Sequence, residues 1–187
     1  MIGSDHPVEF LYPLLGKEDA LFTLSKYIYT ADSLLDERER MVISGKELTR
    51  TKVEQLIDSL RPDQELALHS EVVIGRRHFH IPMIDFSTAT LPNDLFERML
   101  RYLPKSIILN MAMYKSGRSF HAYSTTLLGK KDWYSFMGRL LLINQVGCAQ
   151  IVDTRWVGHR LIGGFGSLRW SNNSGQHLGL PSRTRFI

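Results

Sequence analysis

Residues 66–85 read LALHSEVVIGRRHFHIPMID, in which two apolar runs lie on either side of a Gly-Arg pair. Short apolar runs separated by a turn that contains glycine are typical of a β-hairpin. We therefore predict two neighbouring strands, Leu66–Ile74 and His78–Asp85, which are joined at Gly75 and Arg76.

Downstream of this hairpin, single helices alternate with further strands. Apolar residues at helical spacing predict the helices, and a four-residue turn that contains Gly117 predicts a second hairpin. The predicted elements are helices over 93–103 and 131–143 and strands over 106–114, 119–128, 150–153 and 167–171. Helices interspersed with hairpins favour an α+β fold. We expect one twisted, mainly antiparallel sheet with both helices packed on one face.

The part of the chain before this hairpin is predicted to be helical. Residues 17–60 read as helical, since the apolar residues from Val53 to Leu60 recur at the spacing of one helix face. A chain of 187 residues suits one domain. We predict a single domain that spans the chain, with a helical part over 1–62 and a sheet-containing part over 63–187.

The composition is that of an ordinary globular protein. Apolar residues make up 43% of the chain, and no apolar run approaches the roughly 18 residues that a membrane span needs. The N-terminal residues contain no basic segment followed by an apolar run, so no signal peptide is expected. The single cysteine, Cys148, excludes an internal disulfide and is expected to be buried. We therefore expect a cytoplasmic protein without a membrane partner.

The charge distribution favours an anionic partner. The formal net charge is +4, and residues 155–187 contain five arginines and no acid. Basic side chains neutralise phosphates. An anion-facing surface in this part of the chain is therefore expected, which permits a nucleic acid or nucleotide partner without requiring one.

The first chemical motif is an apolar strand that ends in an acid, over residues 81–87. Side chains alternate along a strand, so Asp85 and Ser87 share a face. Paired carboxylates at this spacing hold divalent metals in nucleotidyl transfer, but here the second position is a serine. The alternative is an aspartate that begins a turn with Ser87 and Thr88.

The second motif is a tight turn over 116–119 that leads into a strand, where His121 and Tyr123 share a face. Small residues in the turn allow a backbone to approach a phosphate, and a histidine beside it can donate a hydrogen bond. The alternative is a plain hairpin with a hydrogen-bonded histidine.

The third motif is another apolar strand that ends in an acid, Asp153. A glycine-rich stretch follows and leads to a strand that carries Arg169. The alternative is an aspartate that pairs with Arg155 on the surface.

In this order, the three motifs resemble those of the archaeo-eukaryotic primase (primase-polymerase) superfamily. Members carry an apolar strand with two acids, then a Ser-x-His strand, then an apolar strand that ends in a third acid. Asp85, His121 and Asp153 match those positions, and Arg169 resembles a late basic residue that faces nucleotide phosphate. The resemblance covers residues 66–171 and is that of a divergent bacterial member.

The resemblance implies a primase-polymerase-like α+β fold with a mainly antiparallel, RRM-like sheet, and it implies roles for individual residues. The implied catalytic residues are Asp85, His121 and Asp153. The implied nucleotide- or phosphate-binding residues are Ser116, Gly117, Arg118, Ser119, His121 and Arg169. The implied metal ligands are Asp85 and Asp153, which would hold Mg²⁺ or Mn²⁺ if the domain is active.

Ser87 is the departure from the family pattern, because a neutral hydroxyl is a weak ligand for Mg²⁺. Three functions therefore stay open, and fold alone does not decide among them. The first is a domain that binds nucleic acid or nucleotide, with a degenerate metal site and impaired or absent catalysis. The second is an active, metal-dependent DNA or RNA primase-polymerase. The third is a non-catalytic interaction or scaffold subunit of a larger bacterial complex.

Overall fold

A computed structural model describes residues 2–15, 19–30, 33 and 36–185. Over these residues the chain forms seven helices and nine strands, in two antiparallel sheets. The helices are α1 Pro7–Phe10, α2 Tyr12–Leu15, α3 Arg50–Asp58, α4 Leu95–Tyr102, α5 Lys105–Leu109, α6 Lys130–Leu141 and α7 Thr154–Gly163. The strands are β1 Ala20–Ile28, β2 Arg38–Ser44, β3 Gln64–Ile74, β4 Arg77–His80, β5 Met83–Phe86, β6 Met111–Lys115, β7 Phe120–Ser124, β8 Ser167–Arg169 and β9 Ser182–Thr184. None of the helices in the described ranges combines the length and apolar character that a bilayer crossing requires.

The first sheet has the strand order β2-β1-β3-β4, and β4 and β8 pair with successive parts of β3. Strand β3 forms its centre, and residues 64–70 of this strand are all buried. Alternate residues of β1, Phe22 and Leu24, pack with Leu66 and Leu68 of β3 in one core. A strand buried along most of its length explains the apolar run from which the hairpin was predicted.

The second sheet has the strand order β5-β7-β6-β9. Ile84 and Phe86 of β5 and Ala122 of β7 share a core with Met99 of α4 and Trp133 of α6. Both predicted helices therefore cover one face of this sheet.

The other face of the second sheet is turned toward the first sheet. Met83 of β5 and Tyr123 of β7 belong to the core that contains Leu168 of β8. Because strand side chains alternate, Asp85 and His121 point toward this same side. The space between the two sheets is therefore where the first two motifs meet.

The structure corrects the prediction of one sheet and of one strand over 78–85. The N–H of Ile81 donates to the carbonyl of Ser70 at 2.7 Å in the first sheet, whereas the carbonyl of Pro82 accepts the N–H of Ser124 at 3.0 Å in the second. Proline has no N–H to donate to a strand ladder. The chain crosses between sheets at this proline, so that β4 and β5 belong to different sheets.

A helical part over 1–62 is predicted from the pattern in residues 17–60. This prediction is wrong for most of the residues that the structure describes in that range. Strands β1 and β2 occupy much of this part. Phe22 and Leu24 in β1 are buried and alternate with more exposed neighbours, which is the period of a strand. The helix predicted from the apolar face of Val53 to Leu60 is confirmed, since α3 forms there and Val53 is fully buried. The predicted helical positions 17, 18, 31, 32, 34 and 35 lie outside the described residues.

Further along the chain, the second hairpin is confirmed as β6 and β7, and the two helices as α4 and α6. The strand predicted over 106–114 begins later, because α5 occupies its first half. Residues 150–153 form an isolated bridge between Val152 and Phe86 in place of a strand. Cys148 is exposed and not buried as expected, because the loop between α6 and α7 leaves it outside both cores.

Candidate functional site

A cleft of about 560 Å³ opens between the two sheets, and Asp85 and His121 line it. The antiparallel register of β5 and β7 places these two residues directly opposite each other. His121 Nε2 lies 3.6 Å from Asp85 Oδ1, and the side chains of the two residues expose 7% and 23% of their surface. Their neighbours Ile84 and Phe86 point into the helix-covered core, and this alternation turns Asp85 toward the cleft.

Asp153 lies beside Asp85, at the start of α7. Its N–H donates to the carbonyl of Asp85 at 2.9 Å. Its Oδ1 accepts the N–H of Trp156 at 2.9 Å and so caps the helix. Aspartate is a favourable N-cap residue, so one carboxylate oxygen stabilises α7. The acid of the third motif thus joins the first two motifs in the lining of the cleft.

The turn over 116–119 forms another part of the cleft wall. Gly117 adopts φ +89°, and a Cβ there would lie 3.2 Å from the backbone nitrogen of Leu178, so this position requires glycine. Ser116 Oγ lies 2.8 Å from His121 Nε2 and holds the imidazole in place. The residues of the turn that line the cleft are Ser116, Arg118 and Ser119.

Arg169 reaches the cleft from β8, but its guanidinium hydrogen-bonds to backbone carbonyls. Nη2 donates to Ser116 at 3.0 Å and to Gly179 at 3.2 Å, and Nη1 donates to Ser171. The arginine therefore ties the turn over 116–119 to the segment over 171–179. Its role as a phosphate ligand stays a prediction.

Ser87 is exposed at the rim of the cleft. Its N–H donates to the carbonyl of Ile151 at 2.8 Å. Its hydroxyl lies 3.4 Å from the carbonyl oxygens of Gln150 and Ile151, which is long for an O–H···O hydrogen bond. Ser87 thus faces the cleft and contributes no charge to it.

The electrostatics of the cleft disfavour uncompensated charge on Asp85 and His121. Burial, reinforced by the carboxylate of Asp153, raises the pKa of Asp85 to about 8. Burial and the guanidinium of Arg169 lower the pKa of His121 well below its ordinary value. A cation between Asp85 and Asp153 would favour the ionised carboxylates.

The donor set fits one divalent cation that is completed by ligands from the substrate. Among the described residues, no group of three His, Cys, Asp or Glu side chains is placed to hold a metal. Mg²⁺ is often bound by one or two carboxylates together with substrate phosphates and waters. The two aspartates, Asp85 and Asp153, provide that many carboxylates, and metal ligation by them stays a prediction.

Sequence reasoning missed the wall of the cleft that β1, β2 and the segment over 171–179 provide. Residues of this wall include Tyr27, Tyr29, Arg38, Gln176 and His177. The alternation of β1 could have revealed Tyr27, whereas Tyr29 lies just beyond the strand. The cleft lining holds five arginines against three aspartates, and three of these arginines, Arg155, Arg160 and Arg169, come from the acid-free C-terminal part. Such a lining favours an anionic ligand.

Comparison with known proteins gives one match. The family model described as AEP-like, archaeo-eukaryotic primase 1D-like, matches residues 44–182, which is 139 of the 187 residues. All three motifs lie inside the matched region. No curated protein and no solved structure matches the chain.

Proposed function

The chain belongs to the AEP-like family of archaeo-eukaryotic primase 1D-like domains, and on this premise we propose that its cleft binds nucleotide or nucleic acid and that its nucleotidyl transfer is impaired or absent. The observation that carries the proposal is the meeting of Asp85, His121 and Asp153 in one cleft whose arginines outnumber its aspartates. Three motifs from separate parts of the chain supply one concave, anion-favouring site, which is the arrangement expected of a ligand site.

Phosphate recognition belongs to the turn over 116–119. Arg118 is exposed and lines the cleft, and an arginine can bind phosphate through two parallel hydrogen bonds. His121 is oriented by the Ser116 hydroxyl at 2.8 Å, which leaves the imidazole fixed at the floor of the cleft. We assign the polyphosphate of a nucleotide to this side of the site.

Asp85 and Asp153 would hold one Mg²⁺ or Mn²⁺ beside that polyphosphate. When bound, such a cation neutralises phosphate charge and stabilises the charge that develops on the reacting oxygens. Ser87 adds no carboxylate for a second ion. Binding of nucleotide is therefore retained in this proposal, while transfer loses part of its electrostatic stabilisation.

A second candidate is an active nucleotidyltransferase. It is favoured by one observation, the hydrogen bond at 2.9 Å that places the backbone of Asp153 against that of Asp85. The acids of the first and third motifs are thus neighbours, and substrate phosphates can supply the remaining metal ligands.

Titration calorimetry with a nucleoside triphosphate tests the proposed binding, with and without Mn²⁺. Asp153→Asn is the informative variant, because asparagine caps a helix as well as aspartate does while the negative charge is lost. We expect Mn²⁺-dependent binding by the wild type and a loss of roughly tenfold in affinity in the variant, equivalent to about 1.4 kcal/mol.

Asp94→Asn is the matched control, because Asp94 is the N-cap residue of α4 and pairs with Arg98 at 2.7 Å away from the cleft. This control should bind nucleotide like the wild type. Absence of nucleotide binding by the wild type, or equal affinity in the wild type and Asp153→Asn, would contradict the proposal.

A further inference from the structure

A second groove of about 430 Å³ lies beside the cleft, between β2 and α7. We call it the β2–α7 groove, and its lining residues are Asp36, Arg38, Arg40, His159, Ile162, Gly163 and Phe165. Asp36, Arg38 and His159 also line the cleft. The two concavities therefore adjoin, and a ligand that extends beyond the cleft on this side would reach the groove.

The β2 wall of the groove is basic. Arg38 and Arg40 are two positions apart on the strand and share a face, and β2 is an edge strand of the first sheet. The guanidinium carbon of Arg40 lies 4.2 Å from the ring centroid of Phe165, and that of Arg160 lies 5.3 Å from the same ring. The ring holds Arg40 at the groove without neutralising its charge.

The α7 wall combines polar and apolar side chains. His159 and Ile162 are three positions apart and so lie on neighbouring parts of one helix face. Ile162 is 84% exposed, which is unusual for an isoleucine that lines a groove. An exposed apolar side chain beside arginines suits a ligand that has both a charged backbone and apolar faces.

The acids near the groove do not cancel its positive charge. Asp36 accepts hydrogen bonds from both Arg38 at 2.8 Å and Arg160 at 2.6 Å, so one carboxylate serves two guanidinium groups. Arg40 lies 3.7 Å from Glu71, with both side chains more than a third exposed, and such pairs are weak. Together, the linings of the cleft and the groove contain six arginines against three aspartates.

We propose that the β2–α7 groove is the path of a single strand of nucleic acid that leaves the cleft, with a phosphate on Arg40 and a base against Ile162. The proposal rests on the proposed function of the cleft. A basic groove combined with surfaces for the base faces is the general form of single-strand sites. A concavity of 430 Å³ holds about one drug-sized molecule, which corresponds to roughly one or two nucleotides of a single strand.

Fluorescence anisotropy with a labelled oligothymidylate of about 16 nucleotides tests the path on the full chain. Arg40→Ala removes a groove arginine. Arg77→Ala is the matched control, because Arg77 also lies over a phenylalanine ring, Phe79 at 5.2 Å, but on β4 at the opposite edge of the same sheet. We expect Arg40→Ala to weaken binding about three- to tenfold at low salt and to reduce the slope of log K against log salt by about 0.7. Arg77→Ala should change neither quantity.

Mn²⁺-dependent binding of a nucleoside triphosphate, measured on the same variants, separates the groove from the cleft. Arg40→Ala should bind the nucleotide like the wild type. The path is overturned if the wild type binds nucleotide and no oligothymidylate, or if Arg40→Ala binds the strand as the wild type does. It is also overturned if Arg40→Ala and Arg77→Ala lose strand affinity equally, or if a duplex of the same length binds as tightly as the single strand. Absence of nucleotide binding by the wild type would instead overturn the function proposed for the cleft.

Discussion

Asp85 is an ionisable side chain whose burial in the cleft costs stability. Its carboxylate lies in the cleft next to that of Asp153, and burial and this neighbour raise its pKa to about 8. The pKa of Asp85 in the folded protein is about 8, above the ordinary 3.8. Between pH 3.8 and about pH 8, the folded state therefore binds more protons than the unfolded state. Stability contributed by this group is therefore lost as the pH rises from about 4 to about 8.

We predict that Asp85→Asn raises the free energy of unfolding by about 1–3 kcal/mol at pH 8 in EDTA, because a neutral amide replaces a poorly solvated carboxylate. Mn²⁺ should raise the melting temperature of the wild type and not that of the variant. Urea denaturation and thermal melts measure both effects. Asp63→Asn, in an exposed turn, is the control that should change neither. A less stable Asp85→Asn, or one that Mn²⁺ still stabilises, would count against a cation site at this residue.

Single residues were the most predictable level of the site. Asp85 and Asp153 stand out as acids at the ends of apolar strands and His121 as a histidine beside a tight turn, the motif order of the resemblance links them, and the structure brings all three to one cleft. Arg169 was expected to face phosphate, but the structure shows its guanidinium on three backbone carbonyls. Residue type and position predict that an arginine reaches a site, whereas its hydrogen-bond partners depend on loops that carry no pattern.

At the level of elements, β3 anchors the segment over 171–179 through a buried carboxylate. Glu65 accepts hydrogen bonds from the N–H of Ser174 at 2.8 Å and from that of Asn173 at 3.1 Å, and the hydroxyls of Ser171 and Ser174 also donate to it. Burial alone would raise the pKa of Glu65, but the hydrogen bonds from the two serines outweigh it and hold the pKa below 4.5. This stabilisation is present above pH 4.5 and is lost as the pH falls through the lowered pKa.

We predict that Glu65→Gln destabilises the protein by about 1–3 kcal/mol at pH 7, because an amide accepts fewer of these hydrogen bonds and leaves buried donors unpaired. The segment over 171–179 carries Gln176 and His177 into the cleft, so nucleotide affinity should fall as well. Hydrogen exchange of this segment, together with urea denaturation, checks the prediction.

Glu71→Gln is the matched control, since Glu71 lies on the same strand with a side chain that is 39% exposed. It should change the exchange rates of the segment over 171–179 much less than Glu65→Gln does. Unaltered exchange in Glu65→Gln would show that the segment is held by other contacts, such as those of Arg169.

Elements differed in how well the sequence predicted them, for physical reasons. The buried strand β3 is rich in apolar residues, and helix α6 shows apolar residues at helical spacing. Strand β2 has a weak apolar pattern because it is an edge strand in which Val42 is 65% exposed and three consecutive residues, 38–40, are charged, as is common at sheet edges. The break in the strand at Pro82 could be predicted from the sequence, since proline interrupts strand pairing. That the chain enters a second sheet there depends on tertiary packing and could not.

At the scale of the whole molecule, the site lies between two sheets that each supply part of it. The second sheet provides Asp85 and His121, while β1 and β2 of the first sheet provide Tyr27 and Arg38. The helices α4 and α6 cover the far face of the second sheet, and the near face lines the cleft. Local patterns cannot predict such a cleft, because its two walls are distant in sequence and meet only through packing of the cores.

The molecule as a whole brings Asp85, His121, Asp153 and Ser87 into one cleft, and the proposed function takes Ser87 to stand where a second acid would be. A primer-extension and de novo synthesis assay with Mg²⁺ or Mn²⁺, performed on the wild type and on Ser87→Asp, measures what a carboxylate at this position does. Ser87 is exposed at the rim, so the added aspartate needs no room in a core. Asp85→Asn combined with Ser87→Asp is the control that removes the predicted metal ligand again.

We predict little or no product from the wild type, because the loss of a metal-binding carboxylate removes charge stabilisation that is normally worth several kcal/mol. Ser87→Asp should gain synthesis, and the double variant should lose it. Robust synthesis by the wild type that Asp85→Ala abolishes would contradict this account and would identify the chain as an active nucleotidyltransferase.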